Sequence, residues 1–399
     1  MKILVLDGDQ NQAVAAVRSF ARAGHTVFAG ESASWSKAGW SRACSGTLRY
    51  VSPRKNVDAF LENLIVFLRQ HPGTLLVPMT EATTLPVSAN RDPLTAAGAC
   101  LVLPEHNNLV RAFDKDETTR LASSLGVSIP ATILVTNPDQ AREAAKSLPY
   151  PVVIKPRASE ELRGTAIHTA GRPLYARDPA QFDDAYRDIS VRSSAALVQQ
   201  FVPGDGTGYF ALMHHGELRA EFAHRRIRDV IPAGSGSALR VSVDVDPEIR
   251  RLSLAILSAL QWHGVAMVEY RQQSGSPPVF MEVNGRFWHS LALACYAGVD
   301  FPALLARMAE KGDIEPSSGY RRGVRCRWLL GDARHLVEVW KGPPRDYPGE
   351  YPGRWRTLVD VLTPVSGTHH DLFQWSDPLP EVGDWLNFSS RMLHLQKGR

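Results

Sequence analysis

Short apolar runs alternate with amphipathic segments through the first hundred residues, and no other feature constrains the fold as strongly. KILVL (Lys2–Leu6) is a continuous apolar run that ends in the turn-rich DGDQN, and AVAAVRSFARAGHTV behind it carries apolar residues at helical spacing as far as a turn at Gly24. VFAG reads as the next strand, and a helix near Asp58–Gln70 precedes LLVPMTEA, a third buried strand with a loop at its carboxyl end. CLVLP (Cys100–Pro104) reads as a fourth. Strands that alternate with helices predict a parallel sheet. A dinucleotide-binding reading is disfavoured, because G-x-G-x-x-G is missing and DGDQNQA contributes only Gly8.

The chain has 399 residues, and single cores stop growing at roughly 250 to 300, so two or three domains are expected. With 44% hydrophobic and 22% charged residues the composition is that of a globular protein. The formal net charge of +4 suits an acidic small ligand or plain solubility, and no basic run with interleaved aromatics points to nucleic acid. Cys44, Cys100, Cys295 and Cys326 form no metal or redox spacing and read as reduced, packed thiols. The first apolar run is too short for a signal peptide and no later run reaches membrane-span length, so the expectation is a soluble, cytoplasmic protein with no membrane partner. There is no internal repeat or low-complexity tract.

From about Asn107 the pattern changes. FDKDETTRLASSLGVSIP (Phe113–Pro130) reads as one helix closed by Gly126, YPVVIKP as a strand ending in Lys155 and a proline, and ALVQQFV as another strand. EIRRLSLAILSALQW is an amphipathic helix leading to GVAMVEYR, a turn centred near Ser274 or Gly275, and VFMEVNGRFW (Val279–Trp288). The two strands around that turn predict an antiparallel hairpin. Alternation along the second strand puts Phe280, Glu282, Asn284 and Arg286 on one face and Met281, Val283 and Gly285 on the other. Glu269 falls roughly opposite residues 280 to 282, so two carboxylates and an amide oxygen converge. Such hard ligands suit Mg²⁺, while a solvent-facing polar strand explains the hairpin equally well. Lys155 ends a buried apolar strand, where a cation needs an anionic partner, and Lys115 opens a helix, where a surface position is the ordinary alternative.

Taken in order, FDKDETTRLASSLGVSIP, VVIKP, VQQFV, VEY and MEVNGRFW resemble the ATP-grasp superfamily, with closest likeness to its carboxylate-amine ligases that carry a carbamoyl-phosphate-synthetase-like module. The resemblance covers roughly residues 1 to 310 and implies an α/β fold: a Rossmann-like parallel-sheet domain (1–110), the small lobe (111–197) and large lobe (198–316) of a grasp module with ATP between two sheets, and a carboxyl-terminal appendage (317–399) rich in Arg, Trp and Pro.

The resemblance assigns Lys115 and Lys155 to the ATP phosphates, Gln199 to the adenine amino group, and Gln200, Phe201 and Val202 to the segment whose backbone reads the adenine edge. Asp205 becomes a ribose ligand, with a surface acid as the alternative. Glu269, Glu282 and Asn284 would hold Mg²⁺, with Mn²⁺ able to substitute, and Arg286 the acyl phosphate, unless it serves only in a salt bridge. Arg225, Arg226 and Arg228 precede a Gly/Ser loop that borders the carboxylate substrate in relatives, and Arg228 is the candidate clamp. His289 either shapes the acceptor pocket or is structural. The lid segment RASEELRGTAIHTAG departs from the family: it has only Gly164 and Gly171, so Arg157, Ser159 or Arg163 would replace backbone amides over the phosphates.

The implied activity is ATP-dependent ligation of a small carboxylate to an amine through an acyl phosphate, with a homodimer compatible. Bicarbonate-dependent carboxyphosphate or carbamoyl chemistry, and a non-catalytic ATP-binding regulator, are the alternatives.

Overall fold

A computed structural model describes residues 1–273, 275–344, 347–363 and 365–397, without the side chains of Ser235 and of 391–397. Ser274, one of the two expected turn centres, and Arg345, Asp346, Pro364 and residues 398–399 of the expected appendage lie outside the described residues.

The amino-terminal strands β1 (Lys2–Val5), β2 (Thr26–Glu31), β3 (Gly46–Arg49), β4 (Thr74–Val77) and β5 (Ala99–Cys100) form a five-stranded parallel sheet in the order β3-β2-β1-β4-β5. This is the expected parallel sheet, with β3 added at an edge where GTLR, alternately half-exposed and exposed, gave no apolar run. The fourth strand is shorter than expected. It stops at Cys100, and farther along the expected run the carbonyls of Leu103 and Pro104 accept from Arg91 Nη2, at 3.0 and 2.9 Å. The Asn11–Arg22 helix buries Val14, Val17 and Phe20 in a core shared with Phe210, Phe222, Trp288 and Trp328, so this sheet and the largest sheet share one apolar interior.

The expected 113–130 helix is also shorter. Phe113 ends one helix (His106–Phe113), and Asp114 starts the next (Lys115–Ser124) by accepting from the amides of Asp116 and Glu117. Beyond it, β6 (Thr132–Val135), β7 (Val152–Pro156), β8 (Glu160–Arg163), β9 (Ala166–Thr169), β10 (Leu174–Ala176) and β11 (Ala196–Gln200) build the small lobe. Its sheet runs β10-β7-β11-β6, and it has its own core, which includes Val135, Ile154, Phe182 and Val198. The separate β8-β9 hairpin docks on the amino-terminal domain: Val57 N–H donates to Thr165 O at 2.8 Å, Ile167 N–H to Pro53 O at 2.9 Å, and Arg54 pairs with Glu160.

The largest sheet comprises β12 (Asp205–His214), β13 (Glu217–Ile231), β14 (Ser235–Ser242), β15 (Gly264–Gln272), β16 (Val279–Asn284), β17 (Arg325–Arg327) and β18 (Thr368–His370), in the order β16-β15-β12-β13-β14-β17-β18. The carboxyl-terminal segment therefore supplies two strands to this sheet. It also reaches the first domain, where Arg18 Nε donates to Asp377 Oδ2 at 2.8 Å and Lys37 Nζ to Asp384 Oδ1 at 2.7 Å, both pairs buried.

Candidate functional site

The β15-β16 hairpin sets Glu269 directly opposite Glu282, as the sequence predicted. The pairing slips by one residue between Glu269 and Tyr270, and this corrects one expectation: Phe280 lies not beside Glu282 but in the core with Val268, Tyr270 and Val283. The acidic face is linked by short bonds. Asn284 Nδ2 donates to Glu282 Oε1 at 3.1 Å, and Arg286 Nη2 donates to Asn284 Oδ1 at 3.1 Å. Gly285 has a steric reason, since a Cβ there would lie 2.5 Å from Trp262 and 3.0 Å from Phe113.

Across from this face stand the two lysines. Lys155 on β7 pairs in register with Leu197 on β11 and points away from the small-lobe core that Ile154 and Val198 enter. Burial and then the nearby Lys115 lower its pKa to about 8, against the pull of Glu282 and Glu269. Lys115 Nζ donates to Ser159 Oγ at 2.9 Å and lies 3.8 Å from Glu282 Oε2, while its backbone N–H, bonded to Arg157 O at 3.0 Å, ties the helix start to the end of β7. Burial raises the Glu282 carboxyl, but Lys115, Lys155 and the Asn284 bond outweigh it and hold the carboxyl below its ordinary value. Lys115, Lys155, Ser159 and Glu282 line a cavity of about 710 Å³.

At the far edge of the small lobe, Gln199 is buried and donates to Thr132 Oγ1 at 2.8 Å, while Gln200 is exposed. The Phe201 N–H is taken by Pro151 O at 3.1 Å. The Phe201 ring meets Tyr175 at 6.2 Å and Tyr347 at 6.3 Å, both edge-on. Val202 is half-buried and Asp205, at the start of β12, is exposed.

Arg228 does not join the cluster. It pairs with Asp332 and donates to Asp360 O, because the β13-β14 pairing is irregular between Arg226 and Arg228. Arg226 takes the expected place, with Nη2 donating to Glu269 Oε1 at 2.7 Å and Nη1 lying 3.8 Å from Asp229. Burial, opposed by Arg226, lifts Asp229 to about 6. Of the three lid candidates, Ser159 faces the cavity, Arg157 is bound to Asp114 at 2.6 Å, and Arg163 turns to Glu161 and Arg192 O.

Arg226 was one of three arginines named from the sequence without being chosen as the clamp, while Asp229, Tyr175, Tyr347 and Glu81 were not singled out. Burial raises Glu81, and Lys115 and Arg286 pull it back, which places it within electrostatic reach of the hairpin. Its signal was its position just past β4, since open α/β sheets bind ligands at the carboxyl ends of their strands.

A second cavity, of about 450 Å³, lies between the loop after β1 and the carboxyl-terminal helix Leu379–Lys397, lined by Asp9, Asn11, Lys37, His289, Arg334 and Asp384. Arg172 and Ile231 line both cavities. His289 is pushed down to about 3 by burial and is neutral there.

A family described as "ATP-grasp in the biosynthetic pathway with Ter operon" matches residues 193–331. A putative urea carboxylase of Emericella nidulans is 24% identical over 256 residues, 59% of this chain and 19% of that protein. A D-alanine–D-alanine ligase of Acidovorax ebreus is 24% identical over 228 residues, 52% of this chain and 65% of that one, so the chain spans less than two thirds of the length of either relative. The crystal structure of an L-amino acid ligase from Bacillus licheniformis superposes with a TM-score of 0.61 at 15% identity, over 79% of this chain and 75% of that one.

Proposed function

We propose that this chain, an ATP-grasp protein by its fold, is an ATP-dependent ligase that joins a small carboxylate to an amine. The observation that carries the reading is Glu282, in register with Glu269 and bonded to Asn284, facing Lys115 and Lys155 across one cavity. The D-alanine–D-alanine ligase and L-amino acid ligase among its relatives agree with it.

In this reading Lys115 and Lys155 hold phosphate oxygens as point charges. The Phe201 carbonyl and the Val202 amide read the adenine edge, the Phe201 N–H being already engaged, and Tyr175, Phe201 and Tyr347 wall the base. Gln199 would serve the adenine amino group and Asp205 the ribose. Glu269 and Glu282, in register, and Asn284 are hard oxygen donors and would hold Mg²⁺, which would supply neutralisation of phosphate charge. A carboxylate oxygen of the substrate takes the terminal phosphoryl of ATP, releasing ADP, and Arg286 steadies the acyl phosphate. The amine then attacks the acyl carbon and expels phosphate, leaving an amide. No side-chain nucleophile is required, because positioning and charge supply the catalysis.

The second cavity favours this reading over carboxyphosphate chemistry, since about 450 Å³ that shares Arg172 and Ile231 with the first cavity suits a co-substrate larger than bicarbonate. The putative urea carboxylase keeps bicarbonate as the second reading. The test is ADP release with Mg-ATP against panels of carboxylates and amines, with bicarbonate as a separate arm. Release that needs both a carboxylate and an amine is expected; release with bicarbonate alone supports the second reading, and ATP binding without release under any pair overturns both.

A further inference from the structure

At the other end of the largest sheet, three imidazoles crowd together outside the site just described. His214 ends β12 and pairs with Glu217, leaving His215 and Gly216 as a two-residue turn with positive φ at both positions, 46° and 89°. That turn fixes the His215 ring against His263, stacked at 4.2 Å and 15°, with His214 at 4.7 and 5.3 Å from the two. His263 precedes Gly264, where a Cβ would lie 2.6 Å from Val102 O, so this end of β15 is seated on the amino-terminal domain.

We infer that His214, His215 and His263 form a zinc site that pins the β12-β13 turn to the start of β15. One ring nitrogen from each lies within 4.8 Å of the others, and His215 is exposed, so a rotation of its ring off the His263 stack would bring the three toward the separation of about 3.3 Å that tetrahedral Zn²⁺ needs. His263 Nδ1 is buried and has no hydrogen-bond partner among the described residues, an arrangement a metal would relieve.

The support behind the cluster is also that of a metal site. His214 Nδ1 lies 3.2 Å from Asp313 Oδ2, and Arg219 holds both Asp313 oxygens at 2.7 Å. Arg219 Nη2 also lies 3.4 Å from that Nδ1, so Asp313 and Arg219 together orient the His214 ring behind the cluster. Three imidazoles leave a fourth position for water, and nitrogen ligands select Zn²⁺ over the Mg²⁺ expected at the carboxylates. Along β12 the cluster stands about 30 Å from Asp205, so it serves architecture rather than phosphoryl transfer.

The test uses tag-free full-length protein, stripped with chelator and held in excess Mg²⁺, titrated with Zn²⁺ by calorimetry. One Zn²⁺ per chain is expected, with affinity at least tenfold weaker in His215→Ala and several-fold weaker in Asp313→Asn. On the unaltered protein, Zn²⁺ should shift the imidazole ¹⁵N resonances of all three histidines, a readout that does not depend on any variant folding. Equal zinc affinity in His215→Ala, or zinc binding that leaves those resonances unmoved, overturns the site.

Discussion

Arg226 donates to Glu269 at 2.7 Å from the neighbouring part of the sheet, so the carboxylate on β15 already carries a cation of its own. Arg228, two residues on, serves Asp332 instead. The two arginines should therefore fail differently. Arg226→Ala is expected to lower ADP release by 10- to 100-fold, about 1.4 to 2.7 kcal/mol of transition-state stabilisation, and to lower Tm as well, because Glu269 and Asp229 lose their cation. Arg228→Ala should cost about 1 to 3 kcal/mol of stability, because Asp332 stays buried and loses one of its two arginine partners, Arg327 being the other among the described residues, and should change turnover little. Paired urea melts and steady-state assays check both.

Lys155 makes the free protein pH-sensitive. With its pKa at about 8 against an ordinary 10.5, the unfolded chain holds a proton between those values that the folded chain lacks. Stability of the ATP-free protein should therefore rise with pH across that window, by up to about 3 kcal/mol, and Lys155→Met should flatten the rise. Phosphates favour the charged amine, so ATP binding near pH 8.5 should take up a proton, which calorimetry in buffers of different ionisation enthalpy measures. Absence of uptake would place Lys155 away from the phosphates.

Gly285→Ala tests the packing beneath the acidic face. The added methyl meets Trp262 at 2.5 Å inside a filled core, and overpacking of this kind costs about 1 to 3 kcal/mol. Because Asn284 and Arg286 flank the position, turnover should fall further than stability explains. A variant as active as the parent at 25 °C would show that the strand has slack.

Tyr347 tests whether the carboxyl-terminal segment belongs to the nucleotide slot. It meets Tyr175 at 5.4 Å and Phe201 at 6.3 Å, and such pairs contribute about 0.5 to 1.5 kcal/mol. Tyr347→Ala should raise KM for ATP 2- to 10-fold and leave kcat unchanged.

Local signals made much of this legible. Unbroken apolar runs gave β1 and β4, and the Ser/Gly/Pro turn gave the β15-β16 hairpin with Glu269 opposite Glu282. What escaped depended on irregular pairing. The slip at Tyr270 moved Phe280 into the core, and the irregularity after Arg226 exchanged the places of Arg226 and Arg228, which spacing alone does not separate. Tyr347 and Glu81 are distant in sequence from the hairpin, so only the folded chain brings them near it. The roles of Lys115, Lys155, Asn284 and Arg286 rested on the resemblance, and the geometry now supplies each with a partner or a neighbour of opposite charge.

The docked β8-β9 hairpin has a mechanical consequence. The amino-terminal domain and the largest sheet share one apolar interior and are clamped through Asp377 and Asp384, whereas the small-lobe sheet packs around a core of its own. Two backbone bonds and the Arg54–Glu160 pair therefore staple the β8-β9 hairpin to the amino-terminal domain, so the position of this glycine-poor lid is set by Pro53, Arg54 and Val57 rather than by glycines of its own.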